Sequence, residues 1–268
     1  MVGLNKKKIS IIGFAILLLV SCNKFEYSNY QVNLDSKYEN TNAKNIQKLP
    51  LEYKDTITIA VIGDSQRFYE STSEIIKKIN KTPGIDFVAH TGDLVDFGMQ
   101  KEYEWMHDEL STLKAPIIAV VGNHDLIGNG GDVYQHMYGD FNFSFTLSGN
   151  KFIFINTNSR EFNFNKNVPD IEWLDKELSD TAHYNNAIII CHVSHNNEDF
   201  NEELREEFVQ SVKKYKKVLM SINGHLHNFE YSPPDEDNIA YFNTYSTKKE
   251  KFILLKIWDN QYSFEIIE

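Results

Sequence analysis

The sequence predicts an α/β domain whose strands deliver polar side chains onto one edge. Three observations predict it. Short apolar, β-branched runs recur along the chain, and five of them run straight into carboxylate, amide or imidazole groups: Ala60-Val61-Ile62-Gly63-Asp64, Phe87-Val88-Ala89-His90-Thr91-Gly92-Asp93, Val120-Val121-Gly122-Asn123-His124-Asp125, Ile188-Ile189-Ile190-Cys191-His192 and Ser221-Ile222-Asn223-Gly224-His225. Between the first three lie stretches with apolar residues at three- and four-residue spacing, which gives a βαβαβ order. The 268 residues, 41% of them hydrophobic, suffice for one sizeable core and are few for two.

Residues 1–21 stand apart from that domain. Lys6-Lys7-Lys8 is a positive start, Ile9 to Val20 an apolar run, and Leu19-Val20-Ser21-Cys22 ends in small residues before a cysteine. The segment resembles a bacterial lipoprotein signal peptide. That resemblance implies cleavage before Cys22, lipidation of its thiol, and an exported, membrane-anchored protein of the cell envelope. An uncleaved anchor helix is the alternative, but the apolar run is shorter than the roughly 20 residues a span needs. With Cys22 lipidated only Cys191 remains, so no internal disulfide can form and stability must come from the core. Cleavage also removes three lysines, so 27 basic side chains fall to 24 against 38 acidic ones and the formal charge moves from −11 to −14. Such a surface repels nucleic acid and anionic lipid, and a negative protein handling a negative substrate needs metal.

Residues 22–55 are rich in Asn, Lys, Tyr and Ser without a sustained apolar period, and read as a flexible tether; the domain proper is residues 56–268. Ile57, Ile59, Val61 and Ile62 form the first strand. Ser71-Thr72-Ser73-Glu74 reads as a capping box opening a helix through about Asn80, which Pro83-Gly84 stops. A strand over 85–90 follows, then a helix from Gln100 to Leu113 carrying Tyr103, Met106, Leu110 and Leu113 on one face. Pro116 to Val121 is the third strand. Gly128 to Asp132 fits a turn or lid, since its spacing matches neither a dinucleotide fingerprint nor a P-loop. Phe141 to Leu147 and Lys151 to Asn156 form a hairpin about Ser148-Gly149-Asn150. A short helix over 170–178, a strand over 187–191, an amphipathic helix over 202–215 and a strand over 218–222 follow; 239–245 and 252–258, with a turn at Asp259-Asn260, read as hairpin strands closing the domain.

The strand ends gather Asp64, Gln66, Asp93, Asp96, Asn123, His124, Asp125, His192, His225 and His227. Carboxylates, imidazoles and an amide oxygen are the donors that hold borderline divalent ions, and there are enough for two ions sharing a carboxylate. His225 and His227 would face opposite ways on an extended strand, so the backbone must curl for both to serve one site.

Gly63-Asp64, Gly92-Asp93-Leu94-Val95-Asp96, Gly122-Asn123-His124-Asp125, His192 and Gly224-His225-Leu226-His227 resemble, in order, the signature blocks of the calcineurin-like metallophosphoesterases, over roughly residues 57–227. The resemblance implies two mixed β-sheets flanked by helices, with the site at the strand ends. It further implies that Asp64, Asp93 and His227 hold one metal and Asp93, Asn123, His192 and His225 the other. Two divalent ions, Mn, Fe or Zn, would then activate water against a phosphate mono- or diester. His124 would donate the proton to the leaving oxygen, and Asp96 and Asp125 would orient imidazoles and amides from behind. Where many members have histidine two residues after the first aspartate, this chain has Gln66, a neutral and poorer donor, which puts the first metal site in question.

The reading is a phosphohydrolase; the alternatives are a non-catalytic, lipid-anchored metal- or ligand-binding relative and a metallohydrolase of another bond. Arg67 and Arg160 are candidate phosphate clamps, and His195 a candidate substrate contact. His90 reads as a packed strand residue, and His107, His136 and His183 as surface or packing residues. Nothing in the loops at 66–70, 126–140, 158–168, 193–200 and 228–238 selects a substrate.

Overall fold

Period-two burial in the strands sets the architecture. In the computed structural model, which describes residues 32–234 and 238–268, eleven strands form two mixed sheets. One has the order β11-β10-β1-β2-β3, built from β1 (Ile57–Ile62), β2 (Phe87–His90), β3 (Ile117–Ala119), β10 (Phe252–Trp258) and β11 (Gln261–Ile267). The other runs β4-β5-β6-β7-β9-β8, from β4 (Phe143–Leu147), β5 (Asn150–Phe154), β6 (Asn186–Ile190), β7 (Val218–Asn223), β8 (Glu230–Ser232) and β9 (Ala240–Asn243). Strands β1, β2 and β3 are parallel, as are β5, β6, β7 and β9; antiparallel strands close one edge of the first sheet and both edges of the second.

Alternate residues of β1 go to opposite faces. Ile57, Ile59 and Val61 join Phe152, Phe154, Ile188, Ile190, Met220 and Ile222 in a core between the sheets. Ala60 and Ile62 face a second core under helices α2 (Tyr69–Lys81), α3 (Gln100–Leu110) and α4 (Gly130–Tyr138). A third core lies between the other sheet and helices α5 (Ile171–Ser179) and α6 (Glu202–Lys214). The result is a helix–sheet–sheet–helix sandwich. Its parallel strands bring the loops after β1, β2, β3, β6 and β7 together.

Four expectations are corrected. Residues 36–49, expected within a flexible tether, are folded: a 3-10 turn at Ser36–Tyr38 and helix α1 (Thr41–Ile46) lie along the free edge of β3. Asn42 exchanges two hydrogen bonds of 2.9 Å with the Ala119 backbone, Asn45 donates to the Ile117 oxygen at 2.7 Å, and Tyr38 and Leu49 are buried. Asparagine side chains thus do for an open sheet edge what a further strand would. The capping box does not open α2, which starts at Tyr69; Thr72 is buried and donates to the Thr247 hydroxyl. Of the glycine-rich stretch, Gly128 and Asn129 make the expected turn, but Gly130 to Asp132 start α4 rather than forming a lid; Gly130 is there for closeness, since a Cβ would sit 2.1 Å from the Asp125 carbonyl oxygen. The expected turn at Asp259-Asn260 joins β10 to β11 as an antiparallel hairpin, but the strand expected beside them, β9, belongs to the other sheet. The expected signal peptide (1–21) and the Cys22 lipidation site lie outside the described residues, among which no helix is long and apolar enough to cross a membrane.

Candidate metal centre

The ends of β1, β2 and β7 turn their polar residues inward by leaving extended geometry at once. Asp64, Gln66, Asp93, His225 and His227 all have left-handed φ, from 39° to 76°, a conformation that costs a non-glycine residue free energy and survives only where its surroundings enforce it. For His225 (φ 76°) and His227 (φ 59°) this is the curl that two histidines on one strand end require. Glycines make room. A Cβ on Gly122 would lie 2.1 Å from the Asp93 nitrogen and 2.2 Å from its Oδ1, so only glycine lets these two loops approach.

Asp64, Asp93 and His192 are buried together, close enough to share a metal ion. The His192 Nδ1–H donates to the Thr91 carbonyl oxygen at 2.8 Å, which turns Nε2 toward Asn123 Oδ1 (2.9 Å) and Asp93 Oδ1 (3.3 Å). A ring nitrogen facing two oxygens needs a proton or a cation between them. His225 repeats the arrangement: Nδ1 lies 3.0 Å from the same Asn123 oxygen, and Nε2 is held 3.1 Å from Asp199 Oδ2. His227 Nε2 is 3.4 Å from Asp64 Oδ1, and the His225 backbone N–H donates to the Asp64 carboxylate. Separations of 2.9–3.4 Å are those of neighbouring ligand atoms on an ion with bonds of about 2.0–2.2 Å, so this donor set fits divalent metal. The carbonyl behind His192 and the carboxylate behind His225 fix each ring as ligand-supporting groups do.

The charges agree with that reading. Burial works most strongly against the His192 imidazolium, but the charge and hydrogen bond of Asp93, the charge of Asp64 and the bond to Thr91 together outweigh it and hold the ring up at about 10; burial also raises the Asp93 carboxyl, and His192 with His124 overcomes it to hold that carboxyl below its usual range. His227 is raised by its bond to Asp64, whereas burial and the charge of His192 lower His225. The pocket attracts positive charge.

The remaining candidates separate. Gln66 donates from Nε2 to Asp93 Oδ2 at 3.1 Å, so its amide steadies that carboxylate. His124 gives its backbone N–H to Asp93 Oδ1 at 2.9 Å; its Nδ1 lies 2.8 Å from the Asp96 carbonyl oxygen, and its ring is partly exposed. Asp96 also takes a hydrogen bond from Arg67. Asp125 meets amides of the backbone rather than an imidazole. Its carboxylate accepts from the backbone N–H groups of Val95 (3.0 Å) and Gly122 (2.8 Å), joining two site loops and touching no imidazole; burial and then Asp93 push it up to about 7. His195 lies between the rings of Phe208 and Tyr241 as a packing residue. His90 is likewise packed: its Nδ1 accepts from the Gly92 N–H, its Nε2 lies 3.0 Å from the Ser65 hydroxyl, and burial lowers it to about 3. Asp199, behind His225 and bonded to Arg160, escaped the sequence reading because it sits in the polar run Asn196-Asn197-Glu198-Asp199, where nothing distinguishes it.

The sequence model of a family described as calcineurin-like phosphoesterase matches residues 57–229. The chain is similar, at 25% identity over 200 residues, to a 3′,5′-cyclic-nucleotide phosphodiesterase of Nostoc sp., the match covering 68% of this chain and 73% of that protein. It is also similar to a protein of Moraxella catarrhalis named as a probable cyclic nucleotide phosphodiesterase, at 26% identity over 51% of this chain and 56% of the relative, little more than half its length. Among solved structures the fold resembles a dimetal phosphatase from Danio rerio, with a TM-score of 0.66 at 11% identity over 78% of this chain and 95% of that one.

Proposed function

This chain belongs to the calcineurin-like phosphoesterases and is a metal-dependent hydrolase of phosphate esters, and from that premise we propose that it cleaves phosphodiesters of the cyclic nucleotide class. In this reading Asp64 and His227 would hold one divalent ion, Mn, Fe or Zn, and Asn123, His192 and His225 a second, with Asp93 serving both. Bound there, the ions supply Lewis acidity toward the phosphoryl oxygens and acidify a water. The convergence of His192 Nε2 and His225 Nδ1 on one Asn123 oxygen beside Asp93 carries this assignment.

The chain's own groups account for the rest. With Nδ1 of His124 held by the Asp96 carbonyl oxygen and 3.6 Å from the Asp96 carboxylate, Nε2 is the ring atom left to give a proton to the leaving oxygen. Asp125 and the site glycines fix the loops so that His124 and the ligands keep their spacing. Two things support a diester. The similar curated proteins are named for cyclic nucleotide diesters, and Arg67 and Arg160 are each bonded to a carboxylate, Asp96 and Asp199, which suits a monoanion better than a dianion.

The test is kcat/KM for bis(p-nitrophenyl) phosphate, p-nitrophenyl phosphate and 3′,5′-cyclic AMP with each metal. Diesters should exceed the monoester by at least about tenfold. A monoester preference overturns the diester reading, and no turnover with any ester returns the chain to the non-catalytic alternative.

We also propose that the protein is exported and lipid-anchored through Cys22, supported by Lys6-Lys7-Lys8, the apolar run after it and Leu19-Val20-Ser21-Cys22. Cys22→Ala should release the protein from membranes or leave the signal uncleaved; unchanged fractionation and mature mass would contradict the proposal.

A further inference from the structure

At the opposite end of β3 from the metal centre, α1, the end of α3 and the residues leading into β3 enclose a cavity of about 350 Å³. Lys37, Lys44, Lys48 and Lys114 line it with His107 and Ser111, and no carboxylate does. That composition opposes the rest of the molecule, whose formal charge is −11. All four lysines are exposed, and none forms an ion pair among the described residues. Their recorded partners are neutral: Lys48 donates to Asn45 Oδ1, Lys114 to the Asn80 carbonyl oxygen, and Lys37 lies over the Tyr38 ring. Asp35 and Asp108 act on Lys37 but are not among the walls. His107 registers the convergence: burial lowers it first, and Lys37, Lys44 and Lys48 add to that against the opposing charge of Asp108.

Ammonium groups gathered round a cavity repel one another unless an anion lies between them, and lysine is a point-charge binder of phosphate. The volume is that of a small-ligand pocket. We propose that this cavity binds a phosphate-bearing anion, held by Lys37, Lys44, Lys48 and Lys114 at a site separate from the metal centre. The segment that builds it fits this use. Residues 36–49 fold onto the β3 edge through asparagine side chains and leave their lysines to the cavity.

Such an anion has two sources, a soluble phosphorylated compound or the headgroup of an anionic phospholipid. The second is within reach under the anchoring proposal, because the fifteen residue steps from Cys22 to Lys37 span at most about 50 Å when extended.

Titration calorimetry of the full-length protein with inorganic pyrophosphate, in chelator so that metal does not hold the probe, tests the first source. Sedimentation with phosphatidylcholine vesicles, with and without phosphatidylglycerol, tests the second. At least one probe should bind, and Lys44→Glu/Lys48→Glu should weaken it by at least about tenfold. Lys44→Gln/Lys48→Gln, a milder change at the same exposed positions, should weaken it in the same direction. Pyrophosphate binding identifies a soluble ligand; binding confined to phosphatidylglycerol vesicles identifies the headgroup. Hydrolysis of bis(p-nitrophenyl) phosphate by the metal-loaded lysine variants should stay within about twofold of wild type. Failure of both probes to bind, or equal binding by the lysine variants, would overturn the site. Loss of diester hydrolysis in those variants would overturn its separateness.

Discussion

His124 stands one residue from a proposed ligand, yet its ring is tied to Asp96 rather than to the buried cluster. If that ring is a proton donor, His124→Ala should keep the metal content of wild type. Its loss in kcat/KM should be small for aryl esters, whose leaving groups need little protonation, and grow toward 10²–10⁴-fold for alkyl esters. A mutant slowed equally for every leaving group would remove the proton-donor role. Gln66 poses a different question. As a donor to Asp93 it adds no charge or imidazole to the Asp64–His227 side, so Gln66→His should tighten the weaker of two metal sites, most for Zn, in a competition titration. Residues like these were legible because their types are unusual at strand ends. Asp199 and the carboxylate of Asp125 were not, because what they do depends on the partner the fold supplies: His225 for one, two backbone N–H groups for the other.

At the scale of elements, the strand–loop junctions carry the chemistry and the sheet edges carry the surprises. Apolar runs ending in polar residues could be read directly, because a buried parallel strand must be continuously apolar and must stop where its side chains turn polar. Residues 36–49 could not. Their burial comes from Tyr38, Leu49 and two asparagines that bond to an edge strand 70 or more residues away, and no local periodicity records that. Asn42→Ala leaves both Ala119 backbone groups without this partner, although the Ala119 oxygen still accepts from Tyr134. Urea unfolding should therefore show a loss of about 1–3 kcal/mol, with a change near zero meaning that the segment is only loosely held.

For the whole molecule, two sheets bury a shared core while their loop ends gather charge, so stability depends on pH as well as on packing. His195 offers a clean handle outside the metal cluster. Burial, with Arg205 and Lys213, depresses it to about 4, so between pH 6.5 and 4 the unfolded chain takes up a proton that the folded chain refuses. Stability from this group is complete above pH 6.5 and is lost as pH falls. His195→Phe should flatten the decline by about 1 kcal/mol between pH 6.5 and 5 in denaturant titrations, and parallel curves for the two proteins would contradict it. The alternation of strands and helices was legible from periodicity and the two-sheet sandwich from the family resemblance, whereas the pairing of β9 and β10 with different sheets was not, because adjacent strands in sequence usually pair. The account as a whole rests on Asn123, whose oxygen meets both His192 and His225. Its most direct test is metal content measured alongside kcat/KM for bis(p-nitrophenyl) phosphate in wild type and Asn123→Ala. Two ions per chain falling to one, with at least about a hundredfold loss of activity, is the predicted result. A variant that keeps both ions and full activity would contradict it.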